Sequence, residues 1–126
     1  MRFLLDTHIL LWFLSANNLL KSKKKEIIDK AENKLYVSII SLWEIAIKLN
    51  INKLEIDFDF SDIPELLKTY EIEVLNLSFP QLEYLISLPK FHSDPFDRML
   101  IAQAIAEDLT LLTEDPYFKQ YPVKLA

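Results

Sequence analysis

The chain has 126 residues, of which 51% are hydrophobic and 26% charged, and its formal net charge is −5. This length and balance predict one globular domain over residues 1–126 and not a disordered segment. Glycine and cysteine are both absent, which excludes glycine-rich phosphate loops, disulfides, thiolate zinc sites and cysteine nucleophiles. The negative charge argues against a general basic surface for nucleic acid, although bound cations would reverse the sign locally.

Short apolar runs of strand-forming residues alternate with longer segments of helical spacing. The runs predict strands at residues 2–5, 34–39, 72–77, 109–113 and 122–126. The apolar spacing predicts helices at residues 8–15, 22–31, 41–51, 62–70, 79–88 and 95–107. This alternation is typical of an α/β fold with a central, mostly parallel sheet.

The apolar N-terminus invites comparison with a secretory signal. Asp6 and His8 interrupt the apolar run, no A-x-A cleavage pattern follows, and the uncharged stretch is too short to span a bilayer. We therefore expect no targeting segment and no membrane partner. The absence of cysteine is compatible with the reducing cytoplasm.

Two acidic residues follow predicted strands. Asp6 comes directly after the first strand, and Asp115 lies two residues beyond the fourth. Ligands of open parallel sheets bind at the carboxyl ends of the strands, and ionised carboxylates are rarely buried without a partner. These positions predict a divalent-cation site, because Mg²⁺ prefers carboxylate oxygens.

Two further acids lie on apolar helix faces. Glu44 shares its face with isoleucines, and a carboxylate there is either a metal ligand or, with Ser41, part of a capping box. Asp94, followed by Pro95, is the expected N-cap of the last long helix. Because Asp94 is then the cap, Asp97 is not needed for capping and is available for another role.

Other polar residues give weaker signals. His8 and His92 lack metal-ligand spacing, so neither is expected to bind a metal. Arg98 is expected either to contact a phosphate or to form an ion pair with a neighbouring acid.

Four segments, in this order, resemble the acidic motifs of PIN domains: LLDTHILLW, VSIISLWEIAIK, HSDPFDRMLIAQA and LLTEDPYF. The resemblance covers almost the whole chain, points to small bacterial VapC-type toxins, and implies a three-layer α/β/α fold. It identifies as metal-binding acids the residues Asp6, Glu44, Asp97 and Asp115. It makes Asp94 a secondary candidate, together with Thr113, a hydroxyl that orients a carboxylate or a water.

The chain departs from this resemblance in one respect, since such proteins commonly carry glycine at tight turns. Asn50, Asn52 and Asp108 are expected to take these turns, because Asn and Asp tolerate left-handed geometry better than other non-glycine residues.

The resemblance also implies a function, that of a cytoplasmic Mg²⁺- or Mn²⁺-dependent endoribonuclease. Hydrolysis with one or two cations would leave a 5′-phosphate and a 3′-hydroxyl. The implied partners are RNA, a cognate antitoxin that inserts an arginine into the acidic pocket, and a second copy of the chain. The segment ILLWFL, residues 9–14, favours a homodimer because it carries more apolar surface than one helix face buries.

Two other classes of protein remain to be distinguished. A response-regulator receiver also holds Mg²⁺ at strand ends, but it needs an acidic pair after its first strand, where Asp6 is followed by Thr7 and His8. A catalytically silent interaction module would keep the acidic pocket to grip a partner's arginine. Only an activity assay separates that module from the enzyme.

Overall fold

The four strands of the central sheet come from separate parts of the chain and run parallel. The structure is a computed structural model that describes residues 1–15, 20 and 22–126. The strands are β1 (Arg2–Leu5), β2 (Lys34–Ser38), β3 (Ile72–Leu75) and β4 (Thr110–Leu112). They lie in the order β3-β2-β1-β4, so β1, with its carboxyl end at Asp6, is central.

Helices connect the strands, and each of the six predicted helices is present with ends that differ by no more than two residues. They are α1 (Thr7–Leu14), α2 (Ser22–Asp29), α3 (Ile39–Asn50), α4 (Ile63–Thr69), α5 (Phe79–Ser87) and α6 (Pro95–Ala106). Short 3₁₀ helices occupy Phe60–Asp62 and Pro116–Gln120. Among the described residues, no helix combines the length and the apolar character needed to cross a bilayer.

The predicted three layers follow from the alternation of side chains along each strand. Phe3 and Leu5 pack into a core that includes buried residues of α1, α2 and α4. Leu4 points to the opposite face and packs with α6 residues, while Leu85 of α5 covers the same cluster. Because successive strand residues face opposite sides, both faces of the sheet carry a helical layer, and the α/β/α prediction is confirmed.

The prediction of a fifth strand at residues 122–126 is wrong. This segment makes one isolated parallel bridge, between Leu125 and Leu111 of β4. The Leu111 amide donates to the Lys124 carbonyl at 2.8 Å, and the Ala126 amide donates to the Leu111 carbonyl at 3.0 Å. Pro122 has no amide proton to extend this pairing toward the start of the segment.

The apolar surplus expected in segment 9–14 is not exposed. Its first three residues are buried, and Trp12, Phe13 and Leu14 are half-buried against the same core. Among the described residues, large apolar exposure is found instead on α5, on the opposite face of the sheet, where Phe79 is 76% and Ile86 is 85% exposed. A self-association patch therefore cannot be argued from segment 9–14.

Left-handed backbone occurs where glycine would be favoured. Asn52 and Asp108 have φ of 56° and 54°, as predicted. Asn50 instead remains in α3, and among the described residues Glu71 is also left-handed, with φ of 54°. Glu71 lies just after α4 and before β3, so a tight helix-to-strand turn sets its conformation despite the unfavourable side chain.

Candidate metal centre

Three of the predicted acids act as N-caps at one edge of the sheet. Asp6 Oδ1 accepts from the Ile9 amide at 3.0 Å and starts α1. Asp94 Oδ1 accepts from the Phe96 and Asp97 amides and starts α6, which confirms its predicted role. Asp115 Oδ1 accepts from the Tyr117 amide at 2.9 Å. Carboxylates at helix N-termini also gain from the helix dipole.

Asp6 is 4% exposed and both of its carboxylate oxygens have partners. The Thr113 hydroxyl donates to Oδ2, and Thr113 Oγ1 in turn accepts from the Asp115 amide at 3.0 Å. Burial raises the pKa of Asp6 above its ordinary value, and hydrogen bonds from Thr113 and Ile9 oppose that rise. Thr113 thus links the first and fourth predicted acids, although Asp6 and Asp115 are far apart in sequence.

Glu44 is also 4% exposed, and both of its oxygens are engaged. Thr7 Oγ1 donates to Oε1 at 2.8 Å, and Lys48 Nζ lies 2.7 Å from Oε2. The capping box with Ser41 is wrong because α3 begins at Ile39 with Ser38 as its N-cap. Ser41 lies inside the helix and pairs with Thr7 Oγ1 at 2.9 Å, so Glu44 does not serve as a helix cap.

Asp97 lies close to three other acids. Its pKa is raised to about 6, first by burial and next by the charge of Asp94, with smaller contributions from Asp115 and Glu44. A hydrogen bond with His92 opposes the rise. Three other acids are therefore close enough to disfavour ionisation of Asp97, and a nearby cation would have the opposite effect.

The structure brings the predicted acids together by two routes. Asp97 interacts electrostatically with Glu44, Asp94 and Asp115, while Asp6 is linked to Asp115 through Thr113. Within residues 1–15, 20 and 22–126, no three acidic or histidine side chains are already arranged to hold a metal ion.

The donor set nevertheless fits a hard divalent cation, since it consists of carboxylate and hydroxyl oxygens and carries uncompensated negative charge. The oxygens of Asp6 and Glu44 already have partners. A cation coordinated through these residues would share the carboxylate oxygens with these hydroxyl, amide or ammonium partners or replace them. Lys48 is the partner with the greatest competing charge.

Several residues that contact the acids or the partners of the acids were not identified from the sequence. Lys48 was detectable, because a lysine four residues after Glu44 lies on the same helix face. Thr7 and Tyr121 gave no local signal. The ion pair expected for Arg98 is wrong: its guanidinium donates to the Pro89 carbonyl at 2.9 Å and to Tyr121 Oη at 3.2 Å.

Comparison with known proteins gives one family match and several similar folds. The family model described as PIN domain matches residues 3–124. VapBC2 from Rickettsia felis, bound to a DNA fragment from its promoter, has a chain that is 21% identical with a TM-score of 0.72, covering 100% of this chain and 98% of that one. No curated protein sequence matches significantly.

Two further solved structures have the same fold. A toxin–antitoxin complex from Klebsiella pneumoniae is 19% identical with a TM-score of 0.63, covering 98% of this chain and 94% of that chain. VapBC-1 from nontypeable Haemophilus influenzae is 16% identical with a TM-score of 0.63, covering 100% and 97%.

Proposed function

We propose, because the chain belongs to the PIN domain family, that it is a metal-dependent endoribonuclease that hydrolyses RNA phosphodiester bonds. The observation that supports this activity most directly is the grouping of Asp94, Asp115 and Glu44 around the partly buried Asp97, which raises the pKa of Asp97 to about 6. Such a group of carboxylates is costly in isolation, and a divalent cation that binds RNA phosphate would offset the cost.

We assign the cation, Mg²⁺ or Mn²⁺, to four residues: Asp6, Glu44, Asp97 and Asp115. Asp94 and Thr113 are secondary candidates, since Asp94 lies beside Asp97 and Thr113 orients Asp6. When bound, the cation supplies Lewis acidity that makes a water more acidic and offsets charge at the phosphate. The carboxylates would also orient the attacking water.

The reaction is hydrolysis. Oxygen from water forms a new bond to phosphorus, the bond between phosphorus and the 3′ oxygen breaks, and the departing oxygen takes a proton. The products are a 5′-phosphate and a 3′-hydroxyl. Because the chain has a net charge of −5, RNA binding through the acidic edge would depend on the cation, and chelation would remove both binding and cleavage.

We further propose that the chain is the cytoplasmic toxin of a type II toxin–antitoxin pair and acts as a homodimer. Its similarity in fold to chains of VapBC and of a toxin–antitoxin complex from Klebsiella pneumoniae supports an antitoxin partner. A groove of about 380 Å³ beside α1 offers apolar Trp12 and Leu54 next to acidic Glu55 and Asp57. That combination suits an antitoxin segment with apolar and basic residues. The antitoxin's arginine would enter the acidic pocket and pair with two of the carboxylates assigned to the cation.

Cleavage of end-labelled single-stranded and stem-loop RNAs tests the enzyme. We expect cleavage in Mg²⁺ or Mn²⁺, none in EDTA, and products with 5′-phosphate ends. Asp97→Asn should be inactive, whereas Asp108→Asn should cleave normally, because Asp108 is exposed and pairs with Lys124 far from the site. A wild-type protein that binds Mn²⁺ but cleaves none of these RNAs would favour the silent interaction module.

A further inference from the structure

Tyr121 lies at the centre of a polar cluster behind Asp97. Its side chain is 5% exposed. Tyr121 Oη is 3.1 Å from the Phe91 amide, 3.2 Å from the His92 amide and 3.2 Å from Arg98 Nη1. All three of these groups are donors without a free lone pair, so they can only donate to the phenol oxygen.

The fourth neighbour of Tyr121 Oη is His92 Nδ1, at 2.7 Å. A phenol hydroxyl has one proton, and the three N–H donors cannot accept it. Among these four neighbours only Nδ1 can present a lone pair, so every group in the cluster is paired when Nδ1 is bare and accepts the phenol proton. In neutral His92 the ring proton is then on Nε2.

His92 Nε2 faces the candidate metal centre, since it lies 3.4 Å from Asp97 Oδ2. The ring of Tyr117 stacks on the imidazole with a centroid distance of 5.5 Å and an interplanar angle of 3°, and Phe118 meets it edge-on. The His92 side chain is 11% exposed. Packing and the Tyr121 hydrogen bond thus determine both the orientation of the ring and the nitrogen that carries its proton.

We propose that Tyr121 and His92 are positioning residues that orient Asp97 for cation binding, an inference that rests on the proposed function. Tyr121 selects the tautomer of His92, and His92 Nε2–H holds Asp97 Oδ2. The other Asp97 oxygen is then presented to the cation. Outer partners of metal ligands act in this way, and their removal typically lowers metal affinity or activity by about 10- to 100-fold.

A purely structural role makes a different prediction. If His92 mattered only because it ties its loop to Tyr121, a side chain that reproduces Nδ1 would suffice. Asparagine places its amide near the Nδ1 position, whereas glutamine places its amide nitrogen near Nε2. The positioning role therefore requires His92→Gln to bind the cation more tightly than His92→Asn does. The structural role requires the reverse order of affinities.

Calorimetric titration of the full chain with Mn²⁺ distinguishes the two roles without RNA. We expect His92→Gln to bind within about 3-fold of wild type and His92→Asn to bind about 10- to 100-fold more weakly. Tyr117→Phe is the matched control, since it keeps the stacked ring and removes a hydroxyl that has no hydrogen bond in the described part of the chain. Equal affinities, or tighter binding by His92→Asn, would overturn the positioning role.

Tyr121→Phe tests the tautomer directly. In ¹⁵N-detected NMR of wild type near pH 8, we expect the proton on Nε2 and a bare Nδ1. The variant keeps the Asp97 contact at Nε2 but lacks the donor to Nδ1, so it should show a smaller excess of this tautomer and bind Mn²⁺ more weakly. A wild-type spectrum with the proton on Nδ1 would refute the inference alone. Failure of wild type to bind Mn²⁺ or Mg²⁺ at all would instead refute the proposed metal-dependent nuclease, whatever the tautomer.

Discussion

Asp6 and Asp97 are both candidate metal ligands at the carboxyl edge of the sheet, but their environments differ. Asp6 is 4% exposed and accepts hydrogen bonds from the Thr113 hydroxyl and the Ile9 amide. The Asp97 side chain is 24% exposed, and its local electrostatics are dominated by other acids, with His92 as the opposing hydrogen bond. Burial is the largest cause of the raised pKa of each carboxyl group.

The two carboxylates are therefore kept at this edge of the sheet by different surroundings. Asp6 is positioned by two neutral donors, the Ile9 amide in the first turn of α1 and the Thr113 hydroxyl, so its geometry is maintained without a cation. Asp97 is closer to like charges, so its ionisation depends more strongly on what binds there. We therefore expect substitution of either residue to reduce cleavage. Substitution of Asp97 should have the larger effect on how stability depends on pH and on metal.

The largest effect expected is loss of cleavage in Asp6→Asn and in Asp97→Asn. Loss of a metal ligand removes several kcal/mol of transition-state stabilisation, which corresponds to about 10³-fold or more in kcat/KM. Asparagine is also a good N-cap, so α1 should still form in Asp6→Asn. Single-turnover cleavage and urea unfolding in EDTA measure the two properties separately, and wild-type kcat/KM in either variant would contradict the assignment of that residue.

Stability of the metal-free protein should fall as pH rises from about 4 to about 6. The pKa of Asp97 is raised from 3.8 to about 6, so in this window the folded protein retains a proton that the unfolded chain loses. The free energy of unfolding then decreases with pH, by about 3 kcal/mol from Asp97, and Asp6 adds in the same direction. Urea unfolding at several pH values in EDTA should show this slope, and Asp97→Asn should flatten it.

Mg²⁺ should stabilise the folded protein at pH 7. A free cation concentration 100 times the dissociation constant adds about 2.7 kcal/mol to the free energy of unfolding if the unfolded chain does not bind it. We expect thermal unfolding to shift upward in wild type and to shift much less in Asp97→Asn. An equal shift in both proteins would place the bound cation away from Asp97.

The smallest effect expected is at Lys48, which competes with a cation for Glu44. Its ammonium is 2.7 Å from Glu44 Oε2 but its side chain is 39% exposed, so Lys48→Met should increase Mn²⁺ affinity by about 1 kcal/mol or less. Lys124→Met is the matched control, because Lys124 forms a 2.7 Å ion pair with Asp108 at an exposed position. Weaker Mn²⁺ binding in Lys48→Met alone would show that Lys48 supports the site instead of competing with it.

The sequence by itself determined the alternation of strands and helices, because periods of two and of 3.6 residues are local properties. It also placed Asp6 and Asp115 after strands, and it identified Asp94 as an N-cap from the adjacent Pro95. Local rules failed where two neighbouring choices were possible. Ser38, and not Ser41, caps α3, because the preceding strand ends there.

Only the tertiary structure decided which side chain donates a hydrogen bond to each acid. Thr113 reaches Asp6 across 107 positions of sequence, and Thr7 reaches Glu44 across 37. The tertiary structure also determined that residues 122–126 form one bridge and that segment 9–14 packs against the core. These outcomes depend on which elements become neighbours when the parallel sheet assembles. Neither local periodicity nor capping contains that information, because hydrogen bonds and burial between distant residues are fixed only when the chain packs.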